Sequence, residues 1–303
     1  MIYAIILNYN NYLDTKECIE SIHHSIHPVD CIILVDNGSK DGSIEKLEKE
    51  YGLSNKIKII KNKINLGFSG GVNIGIQQIL RATNVEYILL INNDALIDVN
   101  CLTELLKVAS KSEDIGIVGP RIFYFKDNDR IWQGGGYFSK LKSGIVVPEK
   151  NRLSKQCLAD KEKEVDFISG CVMLVSKKVF EKVGLFDEDF FFYSEDVDFC
   201  LRAKKAGFSL FYVPSAIAWH KISNISKDRT SPFALYHLAR SRLIMLRKNF
   251  PYWYFLYSIL IQFFIYTPYR LWQIFNGSRQ IEAFWAWLIG TKDGLFWKRQ
   301  RVI

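Results

Sequence analysis

Four short apolar segments in the first third of the chain constrain its fold more than any other feature. They cover residues 3–7, 31–36, 57–60 and 87–91, and each is continuous and rich in Ile, Leu and Val. Continuous apolar runs, without alternation, are typical of parallel strands that are buried on both faces. Because segments of helical periodicity separate them, the pattern predicts an α/β domain with a doubly wound, mostly parallel sheet.

The intervening segments carry signals for helix starts. One helix is predicted to begin near Asp14 and to bury Ile22 and Ile26, a second to begin at Ser43, and a third to follow Asp98. In sheets of this type, ligands bind outside the carboxyl ends of the strands. We therefore expect the functional residues to follow the predicted strands.

Polar and glycine-rich motifs stand at those positions. Asp36 ends the second strand and can accept hydrogen bonds from a nucleobase or ribose, and Asp94, after the fourth strand, can hold a hard divalent cation. Residues 65–75 form a glycine-rich loop that lets the backbone approach a ligand, but they match neither the dinucleotide fingerprint nor the P-loop. Ordinary turns use the same residue types, so both interpretations stay open on spacing alone.

A further group of acids follows an aromatic segment, residues 190–193. Ser194 is predicted to cap a helix that ends before Gly207. Asp196 then lies in the first turn, where its negative charge interacts favourably with the helix dipole and stabilises the helix. An apolar wall beside a carboxylate also raises its pKa and makes it a better base. His220, after a strand-like run, is either an ordinary polar side chain or a contact to metal or phosphate.

The charge of the chain is concentrated at its C-terminal end. Residues 240–303 carry ten Lys and Arg against two acids and hold 17 of the 43 aromatic residues, whereas residues 1–239 are neutral. Residues 249–269 contain no charge, and their many Tyr and Trp are typical of a membrane interface. We predict a helical hairpin in the cytoplasmic face of a membrane. The alternative is an apolar helix packed on the domain or on another subunit.

Other features bear on location and partners. The six cysteines form no CxxC pair, which indicates reduced thiols, and the N-terminus lacks the basic region of a signal peptide. We therefore predict a cytoplasmic protein peripherally associated with the inner face of the cell membrane. A nucleic-acid partner is disfavoured because the body is neutral and the basic tail is strongly apolar.

Taken in order, the motifs resemble those of family-2 glycosyltransferases with the GT-A fold, especially bacterial rhamnosyltransferase-like members that build surface polysaccharides. The resemblance covers about residues 2–248. Its matching segments are residues 6–10, 35–39, 65–75, 92–94, 169–171, 194–202 and 219–220. It implies a glycosyltransferase domain over residues 1–239, with a nucleotide-sugar half of about 1–119 and an acceptor half of about 120–239. A basic, aromatic, helical region, 240–303, follows.

The resemblance also implies a reaction. A sugar, with rhamnose as the analogy, would pass with inversion from a nucleotide-diphosphate sugar to a hydroxyl of a lipid-linked or growing polysaccharide, with Mg²⁺ or Mn²⁺ as cofactor. Asp196 would be the general base, and Asp94 and His220 would hold the metal. Donor contacts would come from Asn8, Asp36, Asn65, Gly67, Asn73, Asn93 and Arg202. Acceptor-side contacts would come from Ser169, Gly170 and Glu195. Many relatives have two carboxylates where this chain has Asp94 alone.

Two other functions remain open at this point. A nucleotidyltransferase on a similar sheet would need basic residues near the glycine-rich loop, where Lys61 and Lys63 are the candidates. A non-catalytic, membrane-anchored nucleotide-binding protein would bind a donor without consuming it. Other deoxysugars, galactofuranose and common hexoses are equally compatible with the sequence, as is a homo-oligomer.

Overall fold

The computed structural model describes residues 1–156, 161–222, 231–275 and 280–297. The strands, in chain order, are β1 (Ile2–Asn8), β2 (Cys31–Asp36), β3 (Ile57–Lys61), β4 (Tyr87–Asn92), β5 (Ala95–Ile97), β6 (Ile115–Tyr124), β7 (Ile131–Gln133), β8 (Tyr137–Ser139), β9 (Gly144–Val146), β10 (Lys163–Val165), β11 (Val172–Ser176) and β12 (Ser209–His220). The helices are α1 (Tyr12–His23), α2 (Ser43–Tyr51), α3 (Gly67–Leu80), α4 (Cys101–Ala109), α5 (Lys177–Val183), α6 (Glu195–Lys205), α7 (Pro232–Asn249), α8 (Tyr252–Ile261), α9 (Thr267–Phe275) and α10 (Gln280–Leu295). A π-helical turn, Gln262–Tyr266, joins α8 to α9.

The predicted strands of the first third are confirmed and lie together in one sheet. Its order is β10-β12-β6-β11-β4-β1-β2-β3, with β5 added to β12 and β7 to β6, whereas β8 and β9 form a separate hairpin. Strands β3, β2, β1 and β4 are parallel neighbours. Strand β11 lies between β4 and β6 and runs antiparallel to both, so the sheet is mixed in its second half.

The helix predictions are confirmed apart from one detail. The first helix begins two residues before Asp14, after Asn11, whose side chain accepts a hydrogen bond from the backbone N–H of Asp14. Ile22 is buried, but Ile26 is 65% exposed because the helix has already ended at His23. Apolar periodicity therefore extends past the helix end that the backbone adopts.

Burial on both faces of the sheet explains the continuous apolar runs. Ile5 and Ile6 of β1 point to opposite faces, and each is at most 1% exposed. Ile6 belongs to a core shared with α1 and α4, and Ile5 to a core shared with α3 and α6. Helices therefore cover both faces of the sheet, and a ligand site is expected at the carboxyl ends of its strands.

The C-terminal helices pack on the body through α7. Phe190, just before α6, is fully buried against residues of α7 and α8, such as Leu243 and Tyr254. Helix α10 approaches α7 so closely that a Cβ at Gly290 would lie 2.3 Å from the carbonyl oxygen of Tyr236. Helix α7 also crosses the predicted division between residues 239 and 240, so body and C-terminal region share it.

The outer faces of α8 and α9 are unusually apolar. Trp253, Leu256, Leu260, Phe264 and Trp272 are between 46% and 77% exposed and recur at helical spacing. No helix in the described part of the chain is both long and apolar enough to span a membrane. Residues 276–279 and 298–303 of the predicted membrane-contacting region lie outside the described residues.

Candidate active site

The carboxyl ends of β1 and β2 are joined by a buried hydrogen-bond network. The Asp36 carboxylate, 2% exposed, accepts hydrogen bonds from the Asn8 amide at 2.8 Å and from the Ser39 backbone N–H at 3.0 Å. The bond from Ser39 closes the turn after β2. The Asn8 amide nitrogen also lies 3.2 Å from the hydroxyl of Ser43, the first residue of α2. Asp36 is thus held at the predicted ligand-binding edge.

The same network reaches the turn between β4 and β5. Asn8 Oδ1 accepts a hydrogen bond from the Thr15 hydroxyl at 2.8 Å, and Thr15 Oγ1 accepts one from the Asn93 amide at 3.0 Å. The turn itself consists of Asn93 and Asp94. The Asp36 motif and the 92–94 motif therefore share one edge of the sheet. Thr15, which links them, was missed because a lone threonine in a helix carries no pattern of its own.

Asp94 and His220 form a buried pair. They are 3% and 2% exposed, and 3.1 Å separates Asp94 Oδ1 from His220 Nε2. The antiparallel pairing of β12 with β5, which aligns His220 with Ala95, brings them together. Burial alone would lower the pKa of His220, but the Cys171 thiol and the Asp94 carboxylate beside it raise that pKa to about 10.

The glycine-rich loop packs on the aromatic segment that precedes α6. Asn65 Oδ1 accepts hydrogen bonds from the Gly67 N–H at 2.8 Å and from the Asn37 amide at 2.9 Å. Gly67 has a φ of +73°, and a Cβ there would lie 2.4 Å from the carbonyl oxygen of Phe191. The same oxygen accepts a hydrogen bond from the Phe68 N–H at 2.9 Å. Only glycine fits this close approach without displacing the aromatic segment.

Asn73 and Arg202 lie away from the other predicted site residues. The Asn73 amide exchanges two hydrogen bonds with the backbone of Phe186, at 2.9 and 3.0 Å. The Arg202 guanidinium donates to the carbonyl oxygens of Val183 and Leu185, at 2.8 and 2.9 Å, and to a carboxylate one turn earlier on α6. Both side chains hold the segment between α5 and α6 in position.

Asp196 is anchored by backbone N–H groups. Its carboxylate accepts hydrogen bonds from Gly170 at 3.0 Å and from Val197 at 2.9 Å, and the residue is half-buried. Burial raises the pKa of Asp196 above its usual value, although the two N–H groups oppose this shift. A positioned carboxylate with a raised pKa is a suitable general base.

The backbone is strained directly before this acid. Tyr193 and Ser194 have φ values of +65° and +68°, a region that non-glycine residues rarely adopt. Ser194 occupies the predicted N-cap position, but its side chain makes no capping hydrogen bond, because its backbone is left-handed. Strain of this kind clusters at functional sites, where the surrounding structure holds it in place.

Glu195 is the least compensated acid of the site. It is 7% exposed, and one of its carboxylate oxygens has no hydrogen-bond partner within the described residues. Burial and the charge of Asp196 raise the pKa of Glu195 well above its usual value. Isolated buried carboxyls with shifted pKa values are concentrated at functional sites.

A cavity of about 720 Å³ brings many of these residues together. The predicted site residues in its wall are Ser169, Gly170, Glu195, Asp196 and His220. Asn92, at the end of β4, also lines it. Asp36, Asn65 and Gly67 are not part of this wall and lie along the sheet edge beside it.

The cavity also has walls that the sequence motifs did not predict. The C-terminal helices contribute Arg242, Tyr266, Arg270 and Trp287, and the hairpin β8–β9 contributes Ile145. The basic and aromatic composition of residues 240–303 indicated that this region has a function, but it predicted a membrane contact. It did not indicate that these residues face the same space as Asp196.

The donor set fits a divalent cation that shares its coordination with a ligand. Within the described ranges no group of three or more His, Cys, Asp or Glu is placed to bind a metal. Asp94 supplies an oxygen donor. His220 would supply a nitrogen donor on losing the proton that its raised pKa favours, because a metal-binding imidazole must be neutral. One ring nitrogen of His220, Nδ1, is buried without a hydrogen bond among the described residues. A cation held by two side chains needs oxygen atoms from substrate phosphates and water. Carboxylates suit Mg²⁺ and Mn²⁺, whereas an imidazole is a ligand typical of transition metals.

The polar edge at the carboxyl ends of the strands and the cavity beside it lie where open α/β sheets bind their ligands. The chain belongs to glycosyl transferase family 2, whose family model matches residues 3–184. This membership confirms the predicted family.

Two of its relatives are named as rhamnosyltransferases. It is 28% identical over 242 residues to an N-acetylglucosaminyl-diphospho-decaprenol L-rhamnosyltransferase of Mycobacterium tuberculosis, covering 74% of this chain and 76% of that protein. It is 27% identical over 260 residues to the dTDP-rhamnosyl transferase RfbF of Shigella flexneri, covering 82% and 80%.

Solved structures share the fold. The mannosyltransferase PcManGT of Pyrobaculum calidifontis, in complex with GDP-Man and Mn²⁺, aligns with a TM-score of 0.62 at 13% identity, over 97% of this chain and 87% of that one. GalNAc-T7 with UDP, GalNAc and Mn²⁺ aligns with a TM-score of 0.60 at 19% identity, over 73% and 43%. At these identities the likeness concerns the fold alone.

Proposed function

We propose that this glycosyltransferase is an inverting enzyme that transfers a sugar from a nucleotide-diphosphate sugar to a hydroxyl of a lipid-linked or growing glycan. The observation that carries the proposal is the position of Asp196. It lies in the wall of the 720 Å³ cavity together with His220, and His220 pairs with Asp94 at the sheet edge. A base for the acceptor and an anchor for a diphosphate would then be neighbours.

Asp196 serves as the general base in this proposal. Its anchoring by Gly170 leaves the carboxylate in the cavity, and its raised pKa makes it a stronger proton acceptor. It would take the proton of the acceptor hydroxyl, a contribution of about 10²–10⁴ in rate. Ser169, Gly170 and Glu195 would contact the acceptor, because they line the same cavity.

The donor would lie along the edge formed by β1 to β4. Asp36 and Asn8 would contact the nucleoside, Asn65 and Gly67 would shape the adjoining loop, and Asn93 would lie at the diphosphate end. Arg202 and Asn73 would act through the segment that they hold.

Asp94 and His220 would hold the divalent cation, Mg²⁺ or Mn²⁺. When bound, a cation of this kind neutralises the charge that develops on a leaving diphosphate. The fit of the two side chains supports Mn²⁺ more than Mg²⁺, because an imidazole is a poor ligand for magnesium.

The sugar and the acceptor are proposed from the relatives. Two of them are named as rhamnosyltransferases, and the name of one of these includes a diphospho-decaprenol-linked sugar. The exposed apolar stripe on α8 and α9 supports a membrane-surface location, in which these helices lie at the inner face of the cell membrane and the active site faces the cytoplasm.

A panel of nucleotide sugars tests the function. The protein is incubated with each donor and a membrane-lipid acceptor, with Mn²⁺, with Mg²⁺ or with EDTA, and transferred sugar and released nucleotide are measured. We expect dTDP-rhamnose to be consumed and its sugar transferred only with a divalent cation. Donor binding without consumption would favour the binding protein. Release of sugar 1-phosphate, which nucleotidyl transfer from a nucleotide sugar would leave, would favour the nucleotidyltransferase.

A further inference from the structure

The cavity that holds Asp196 is completed by the C-terminal helices, and the group they bring to it is cationic. Arg242 of α7 and Arg270 of α9 line the cavity, as does Lys150 from the body. This inference rests on the proposed function, because it concerns the substrate that enters the cavity. A hydroxyl that reaches Asp196 must belong to a molecule that occupies this space.

Arg242 is fixed in place by uncharged partners. Its guanidinium donates to the side-chain oxygen of Gln262 at 2.7 Å and to the carbonyl oxygen of Ser143 at 2.8 Å, and it lies 4.3 Å from the ring centroid of Tyr266. It is half-buried, and no carboxylate lies within ion-pair distance among the residues that the structure describes. A partly desolvated guanidinium without a counter-charge is a ready site for an anion.

The π-helical turn explains how this arrangement is built. Gln262 and Tyr266 stand at its two ends, and both contact Arg242, Gln262 through its amide oxygen and Tyr266 through its ring. Isolated π-helical turns within α-helices occur frequently at functional sites. The turn therefore presents Arg242 to the cavity with its orientation set before a ligand arrives.

The neighbouring residues indicate what lies beyond the anion. Phe263, Phe264 and Ile265, within the same turn, are 44%, 77% and 56% exposed. Thus one side of this short segment holds the Arg242 guanidinium at the cavity, and the other side is apolar and exposed. A molecule that fits both would carry a sugar at Asp196, an anionic linkage at Arg242 and a lipid along the exposed face.

We propose that Arg242 binds the phosphate or diphosphate that links the acceptor sugar to its lipid. The donor's own diphosphate is the other source of the same chemistry. It is assigned to the sheet edge that holds Asp36 and Asp94. Of the two proposed metal ligands, His220 lines the cavity with Arg242 and Asp94 does not, so the experiment must distinguish the two diphosphates.

Two soluble acceptors with the same sugar and the same alkyl chain test the proposal, one linked through a diphosphate and one a neutral glycoside. For each protein, the ratio of kcat/KM for the two acceptors is measured, so the folded fraction cancels. We expect Arg242→Gln to reduce the wild-type preference for the diphosphate acceptor by about tenfold or more, and Arg242→Lys to reduce it less. Arg247→Gln is the matched control, because Arg247 is exposed on the same helix and outside the cavity.

Two results would overturn the proposal. One is an unchanged preference in Arg242→Gln. The other is a rise in the KM of the nucleotide sugar that is equal with both acceptors, because Arg242 would then serve the donor. If the wild-type protein transfers no sugar from any donor to either acceptor, the proposed function itself fails, which is a distinct outcome.

Discussion

Glu195 shows how the surroundings of one residue set its chemistry. It is buried beside Asp196 with a carboxylate oxygen that lacks a partner among the described residues, and its pKa is raised well above the usual value. In the folded protein the carboxyl keeps its proton at pH values where the unfolded chain would release it. The free energy of unfolding therefore falls as pH rises above the usual glutamate value towards the raised one.

Glu195→Gln is accordingly expected to stabilise the protein at neutral pH. The gain should be about 1.4 kcal/mol for each unit by which folding raises the pKa of Glu195. It should disappear below the usual glutamate pKa, where the wild-type carboxyl is protonated in both states. Thermal unfolding across this pH range measures it. Glu113→Gln is the control, because its side chain is 91% exposed. A melting-temperature difference that is independent of pH would contradict the account.

Some residues of the site could be predicted from sequence motifs, and others could not. Asp196 and His220 stand in recognisable motifs, so their position in one cavity was predictable. Thr15, Asn37 and Arg242 were not, because each owes its place to contacts between distant segments. Arg242 contacts Ser143, which is 99 residues away in the sequence.

Among the elements, the loop before α3 depends on a glycine for two reasons. Gly67 adopts a positive φ, and it also lies against the carbonyl group of Phe191. Gly42 has a similar φ of +78°, but a Cβ added there would meet no atom within 4 Å. Substitution of Gly42 therefore tests backbone strain alone, whereas substitution of Gly67 tests strain together with the steric contact.

We expect Gly42→Ala to lower the free energy of unfolding by about 1–2 kcal/mol, the cost of the left-handed conformation. Gly67→Ala should lower it further and raise the KM for the nucleotide sugar, because the displaced Phe191 would carry the donor loop with it. Urea unfolding and donor kinetics on both variants measure these effects. Equal losses in stability with unchanged donor KM would show that the close contact is unimportant.

The elements also show where sequence patterns stop being informative. Strands β1, β2 and β4 are continuous apolar runs because both of their faces are covered, and this makes them recognisable. Strand β3, at the edge of the sheet, exposes Lys58 and Lys61. Strand β11 is equally buried, but its antiparallel place between β4 and β6 depends on pairing partners that no local pattern encodes. The short strands β5 and β7 are three residues each, too short for a period to appear.

At the scale of the whole molecule, the C-terminal helices have a side that packs on the body and a side that is exposed. Helix α7 packs on the body and α10 packs on α7, as the alternative of an apolar helix packed on the domain predicts. The stripe on α8 and α9 is exposed, as a membrane contact requires. The packing of α7 and α10 thus agrees with the alternative, and the membrane contact stays a prediction.

Replacing Trp253 and Trp272, which are 69% and 65% exposed, with Ser is expected to weaken binding to anionic liposomes by about tenfold or more. The matched control replaces Leu13 and Leu53, which are exposed on the body, with Ser. Flotation of each protein with the liposomes measures the bound fraction. Equal flotation of both double variants and the wild-type protein would argue against a membrane-contacting stripe.

The central claim is that Asp196 removes the proton from the acceptor hydroxyl. The most direct measurement is sugar transfer and donor binding by Asp196→Asn, beside the exposed control Asp127→Asn. We predict that kcat for transfer falls by about 10²–10⁴ in Asp196→Asn, while its affinity for the nucleotide sugar and the activity of the control stay close to wild type. Transfer by Asp196→Asn at a near-normal rate would contradict the account.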